Sequence, residues 1–197
     1  MLSWDKMRER GKKMIAGFLI LGVPIMAVVS LILYAPFYLI NRKKYGKRPF
    51  LRHLSVFIFI GVIVSLFYAT IFVGGIDFHP GYHLINLHPF IWMRETYAMG
   101  AGKMAEQLAL NLGMMIPMGF ILPVVFGRMR KFSKTVGCVI ILIAAIETIQ
   151  YFIGRSADVD DLIMNTLGSM IGYGIFALCN CLFGKKSWWK KAMNIEC

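Results

Sequence analysis

Residues 147–174 read ETIQYFIGRSADVDDLIMNTLGSMIGYG. The stretch leaves one apolar run, crosses a short polar turn and enters another. It carries Glu147, Gln150, Arg155, Asp158, Asp160, Asp161 and Asn165, all within about five helical turns. Ionisable groups close to hydrocarbon are costly, so a functional site with a partner nearby is their first reading. The rest of the chain reads as the scaffold that holds them.

On both sides of this stretch the sequence is built for a bilayer. The chain has 197 residues, 58% of them hydrophobic, with a mean hydropathy of +0.64. Apolar segments near 14–40, 52–75, 107–126, 134–153 and 159–183 each approach the roughly 20 residues a membrane helix needs. They predict an all-α, polytopic membrane helix bundle of about five transmembrane helices. Three regions are expected: an extra N-terminal helix and basic loop over 1–51, a four-helix membrane core over 52–183, and a basic cytoplasmic tail over 184–197. Pro24 and Pro36 predict a kink or tilt in the first segment. That segment is too long for a signal-peptide core, so it stays in the mature protein.

The formal net charge is +12, which in a soluble chain would point to nucleic acid. Here the cations sit in short loops between apolar runs, the pattern of membrane topology and of anionic lipid, so no nucleic-acid partner is implied. Arg42, Lys43, Lys44, Lys47, Arg48 and Arg52 fall in one loop, Arg128, Arg130, Lys131 and Lys134 in another, and Lys185, Lys186, Lys190 and Lys191 in the tail. The opposite side has only Arg94, Lys103 and Arg155 in its loops. The positive-inside rule therefore predicts a cytoplasmic C-terminus, with loops 76–106 and 154–158 outside. Lys6, Arg8, Arg10, Lys12 and Lys13 break the pattern. Five spans put them outside; a re-entrant first segment bent at Pro24 would leave four. Five is preferred, because the first run is ample for one crossing and too short for two.

Acidic residues segregate the other way. Asp77, Glu95, Glu106, Glu147, Asp158, Asp160 and Asp161 all fall in or near the outer side. Carboxylates direct topology little, so a site at that face is the reading of the asymmetry. Asp158, Asp161, Asn165, Gly168 and Gly172 are spaced 3, 4, 3 and 4 apart, which puts them on one helix face. Asp158 alone is equally explained as a helix cap. Glu147 and Gln150 share a face of the preceding segment, and Asn111 lies at matching depth on a third. Arg155, in the turn, is the nearest counterion for Glu147 or Asp161, either within a site or as an ion pair stitching the hairpin together. Pro117, Gly119, Gly168 and Gly172 read as helix-packing positions, the glycines permitting close backbone approach.

The long outer loop contains His79, His83 and His88, but their spacing matches no metal motif, so neither a metal nor a cofactor is implied. Asn86 through Phe90, with Trp92, suits the headgroup region. No phosphate loop, nucleophile elbow, HExxH or CxxC occurs, and no catalytic residue is assigned. Cys138, Cys179, Cys181 and Cys197 read as free apolar cysteines, with acylation of Cys179 and Cys181 the alternative.

Asn86-Leu-His-Pro-Phe90, Asn111 with Ile116-Pro-Met-Gly-Phe120, Glu147 with Gln150, and Gly154-Arg155 with Asp158, Asp161 and Asn165-Thr-Leu-Gly168, in that order, resemble the VanZ-like membrane protein family over about 52–183. The family pattern usually has Ile where this chain has His88. The resemblance implies a bacterial plasma-membrane protein and transfers these motif residues as site residues without a catalytic assignment. The family's namesake is associated with resistance to the glycopeptide teicoplanin.

Two functions are therefore expected. One is a non-enzymatic protein that lowers glycopeptide action at the outer leaflet, with membrane lipids and an acylated glycopeptide or lipid-linked precursor as partners. The other is an enzyme or transporter acting on a lipid or lipid-linked cell-wall precursor, with Glu147 or Asp161 as base, Arg155 as anion binder and a divalent ion bridging the aspartates. A plain bundle-holding role for the polar residues is the third reading.

Overall fold

The computed structural model describes residues 22–72, 77, 81, 85–90 and 100–194. The N-terminal basic cluster, the start of the first apolar run, His79, His83, Trp92, Arg94, Glu95 and Cys197 lie outside the described residues. The chain divides into two compact units, 1–47 and 48–197. In the first, helix α1 spans Val23–Tyr45. Pro24 sits in its first turn, where the missing N–H costs nothing. The helix runs through Pro36 and on past the apolar run, so Arg42, Lys43 and Lys44 form its last turn rather than a loop. There they face the negative end of the helix dipole. Gly46 ends it with φ of 71°, and its N–H donates to the Arg42 carbonyl.

The second unit is built on four long helices. They are α2 (Phe50–Phe67), continued by a π turn over Tyr68–Phe72, α3 (Ala101–Val125), α4 (Phe132–Phe152) and α5 (Val159–Phe183). With α1, five helices among the described residues are long and apolar enough to cross a membrane. The chain is thus an all-α, multi-pass membrane protein. Helix is what such sequences must form, because hydrocarbon offers no partner for a free backbone N–H or carbonyl. Large side chains such as Ile141, Leu178 and Leu182 point outward, as suits a lipid-facing surface. A strand pair of two residues each, β1 (Ile85–Asn86) and β2 (Ala157–Asp158), runs parallel.

Lipid is as apolar as Leu, so burying Leu cannot by itself drive helices together in a bilayer; small residues and close packing do. The α3–α5 seam follows that rule. A Cβ on Gly119 would collide with the Ser169 carbonyl, one on Gly168 with the Leu112 carbonyl, and one on Gly172 with the Ile116 carbonyl. Pro117 is exposed and lies outside this seam, and α3 passes through it and Pro123 without a break. Met115, Met118 and Leu122 of α3 join Leu66 of α2 and Val139, Ile143 and Ile146 of α4 in the apolar centre.

The segment expected as a basic tail is instead folded onto the bundle. Helix α6 (Ser187–Ala192) buries Trp189, and Met193 just after it is buried as well. Trp189 Nε1 donates to Asn180, Arg130 Nη2 to the Met193 carbonyl, Ser55 Oγ to the Ala192 carbonyl and Arg48 Nη1 to Asn194. Two apolar residues at i and i+4 outweigh the four lysines, which stay free to face solvent. This basic end lies at the starts of α2 and α4 and the ends of α3 and α5. The opposite end collects the acidic residues.

Candidate functional site

The site forms where α4 ends and α5 begins. Gly154, with φ of 80°, lets the chain leave α4, and the Arg155 N–H reaches back to the Gln150 carbonyl at 2.9 Å. This is the closure of a glycine-terminated helix. It sends the Arg155 side chain toward α2, where Nη1 donates to the Thr70 carbonyl at 2.6 Å. Gln150, buried on α4, donates to the same oxygen from Nε2 at 2.9 Å. Thr70 lies in the π turn over Tyr68–Phe72, and its carbonyl accepts from both side chains.

Asp158 then starts α5 as its cap. One carboxylate oxygen accepts the Asp160 N–H at 2.9 Å, and Asp160 and Asp161 follow in the first turn at the positive end of the dipole. The Asp158 N–H donates to Glu147 Oε2 at 3.1 Å. Asn86, paired with Asp158 in the strand ladder, gives its side-chain amide to both carboxylate oxygens at 3.2 Å. Its own side-chain oxygen accepts the His88 N–H. The Phe90 N–H then donates to Asp160 at 2.6 Å. The Asn86–Phe90 stretch is in this way a flap fastened at two points over the start of α5.

On the other side of α5, Asn111 of α3 donates its amide to Asp161 at 3.2 Å. Asn165, one turn deeper, is buried, and among the described residues its side-chain oxygen has no partner; nor has Oδ2 of buried Asp160.

Of the residues singled out from sequence, the structure joins Asn111 to Asp161 and Glu147 to Asp158, and sets Asn165 just below. It separates Gln150 and Arg155 from the carboxylates by committing both to Thr70. The expected ion pair of Arg155 with Asp161 or Glu147 does not close. Arg155 acts on both acids only through space, because the Thr70 carbonyl takes its Nη1 donor. Asp158 serves as cap rather than as a member of the Asp161–Asn165 face. Thr70 belongs to the arrangement without having been assigned to it; Asn86 and Phe90 enter the sequence reading only through the family resemblance, and Asp160 only as one acid of the 147–174 stretch. Asn86 carried a signal, a polar residue in an otherwise interfacial motif; Thr70, acting through its backbone, carried none.

Between flap and helices lies a cleft of about 210 Å³, lined by Asn86, Leu87, Ala144, Glu147, Asp158 and Leu162 among others. The surface it presents is almost wholly apolar. Among the described residues no three Asp, Glu, His or Cys side chains converge closely enough to hold a metal ion. A bridging ion among Asp158, Asp160 and Asp161 therefore has no preformed cage. Such a lining suits the hydrocarbon part of a bound molecule, beside the polar groups at the start of α5.

The VanZ/LLP1 family model matches residues 55–180, well over half of the chain, and the protein belongs to that family. No curated protein and no solved structure matches the chain. The match begins in the second turn of α2 and ends near the close of α5, leaving out α1 and α6.

Proposed function

We propose that this VanZ/LLP1 family member lowers susceptibility to teicoplanin-type glycopeptides by holding an amphiphile in the α4–α5 cleft at the outer face of the bacterial plasma membrane. The observation that carries the reading is the cleft itself, which borders Asn86, Glu147 and Asp158 and presents an almost wholly apolar surface from residues such as Ala144, Val159 and Leu162. Teicoplanin-like drugs bear an acyl chain. A protein that sequesters such a chain, or the lipid-linked precursor the drug recognises, protects without turning anything over.

The two ends of the bundle support the orientation. The loop 46–49, the loop 126–131 and α6 carry the cations, and the other end the carboxylates, so the positive-inside rule turns the cleft outward and the C-terminus inward. The basic end then meets the anionic lipid of the inner leaflet.

The test is to compare cells with and without the protein against teicoplanin and against a glycopeptide lacking an acyl chain. The reading predicts protection against the acylated drug and much less against the other. Equal susceptibility with and without the protein, at verified membrane abundance, would refute it.

A further inference from the structure

The cleft takes its walls from three elements: Ile85 and Leu87 of the flap, Ala144 of α4, and Val159 and Leu162 of α5. The surface it presents is almost wholly apolar, so water gains few hydrogen bonds there. Its rim runs into the face the bundle turns to lipid. Ala144 is exposed, and Ile141, one turn along the same face of α4, is 73% exposed. On the flap side Leu87 is 74% exposed. The lining is thus continuous with the bilayer-facing surface of a multi-pass protein, and hydrocarbon reaches it without crossing water.

Size and depth narrow the occupant. Pockets that enclose a drug-sized molecule hold about 300–1,000 Å³, whereas this one holds about 210 Å³. It has room for a segment of a chain, with the remainder of the molecule outside. Helix α4, at 21 residues, is about 31 Å long, matching the roughly 30 Å hydrocarbon core of a bilayer. Ala144 lies about 12 Å in from the Phe152 end, at the depth of acyl chains rather than of headgroups. A chain lying against one helix face makes contacts on one side; between three walls it makes them on three, each small and together large.

We propose that the cleft holds a segment of one acyl chain of a membrane lipid, which enters sideways from the leaflet at the acidic end of the bundle, between Leu87 of the flap and Ala144 of α4, while its headgroup stays outside. This rests on the amphiphile reading above and names the occupant: a resident lipid of the bilayer, delivered through the membrane rather than from water. The flap is the wall that turns a lipid-facing groove into a binding site.

The full-length protein is reconstituted in vesicles of phosphatidylcholine and phosphatidylglycerol, extracted in a mild detergent and weighed by native mass spectrometry. One retained phospholipid per chain is expected, of either headgroup in the proportion the vesicle holds, because only a chain is bound. Ala144→Trp and Leu162→Trp fill the cleft from opposite walls, and each is expected to lose the lipid; two variants keep the test open if one of them fails to fold. Ile141→Trp, on the lipid-facing surface outside the cleft, is expected to keep it. No retained lipid in the wild-type protein would overturn the proposal, as would retention that survives both cleft variants or is lost equally in Ile141→Trp. Retention of one headgroup alone would show that a head is recognised instead of a chain, and a lipid-free dimer would make a second copy of this protein the occupant; either result overturns it. Teicoplanin susceptibility of cells carrying the wild-type protein separates this inference from the function it rests on. A retained lipid without protection would refute that function and leave the lipid site standing; protection without a retained lipid would do the reverse.

Discussion

The backbone N–H of Phe90 meets the Asp160 carboxylate at 2.6 Å, and Phe90 reaches it with φ of 67°. A left-handed backbone at a bulky residue costs about 1–2 kcal/mol and persists only where the surroundings hold it. Here the holding group is a buried acid at the start of α5. Asp160 is therefore tied to the flap that walls the cleft, as well as to the helix dipole.

Replacing Asp160 with Ala removes that charge-assisted bond and is expected to lower stability by about 1.5–3 kcal/mol. Phe90→Gly keeps the N–H and removes the left-handed strain, so it is expected to leave stability near the wild-type value. Thermal melting of the two purified variants in one detergent checks the contrast. A larger loss in Phe90→Gly than in Asp160→Ala would contradict it.

Gly168 and Gly172 face the backbone of α3 at a distance that leaves no room for a methyl group, whereas Gly174 has open space around it. Gly168→Ala and Gly172→Ala are each expected to cost at least about 1–3 kcal/mol as overpacking and to reduce membrane abundance. Gly174→Ala is expected to be silent. Immunoblots of membranes from matched cultures decide this.

Gln150 and Arg155 share one acceptor, the Thr70 carbonyl, so their substitutions should couple. Gln150→Leu and Arg155→Met each remove one of its two side-chain donors, and together they remove both. A double-mutant cycle on melting stability is expected to show a coupling of about 0.5–3 kcal/mol. Additive effects would mean the shared acceptor is unimportant.

Ser156 is exposed in the turn at the acidic end, and Cys181 is exposed near the basic end of α5. If the acidic end faces outward, a membrane-impermeant maleimide applied to intact cells labels Ser156→Cys and leaves the native cysteines unlabelled. Labelling of the wild-type protein in intact cells would argue for the reverse orientation.

The long helices were legible because each is a run of about 20 apolar residues, and in a bilayer such a run has little choice but to be helical. The α3–α5 seam was legible at Gly168 and Gly172, whose spacing is a packing signal in its own right. Three features were hidden for separate physical reasons. The flap depends on Asn86 meeting Asp158, 72 residues away, and a strand pair of two residues leaves no periodicity to read. Arg155 chose a backbone carbonyl, a group every residue owns and no sequence displays. The segment 184–197 read as a basic tail because its four lysines outnumber the two residues, Trp189 and Met193, that dock it. At the α5 mouth, Asp161 and Asn111 could be set at one depth from sequence, whereas the division of labour between Asp158 as cap and Asp160 as anchor required the fold.

The central claim is that the cleft at Glu147 is where this protein protects the cell. Glu147→Gln is nearly isosteric and keeps an oxygen for the Asp158 N–H, so the hairpin should form normally. The most direct measurement is teicoplanin susceptibility of cells carrying Glu147→Gln at membrane abundance matched to wild type. The account predicts susceptibility equal to that of cells lacking the protein. Full protection by the variant at equal abundance would contradict it.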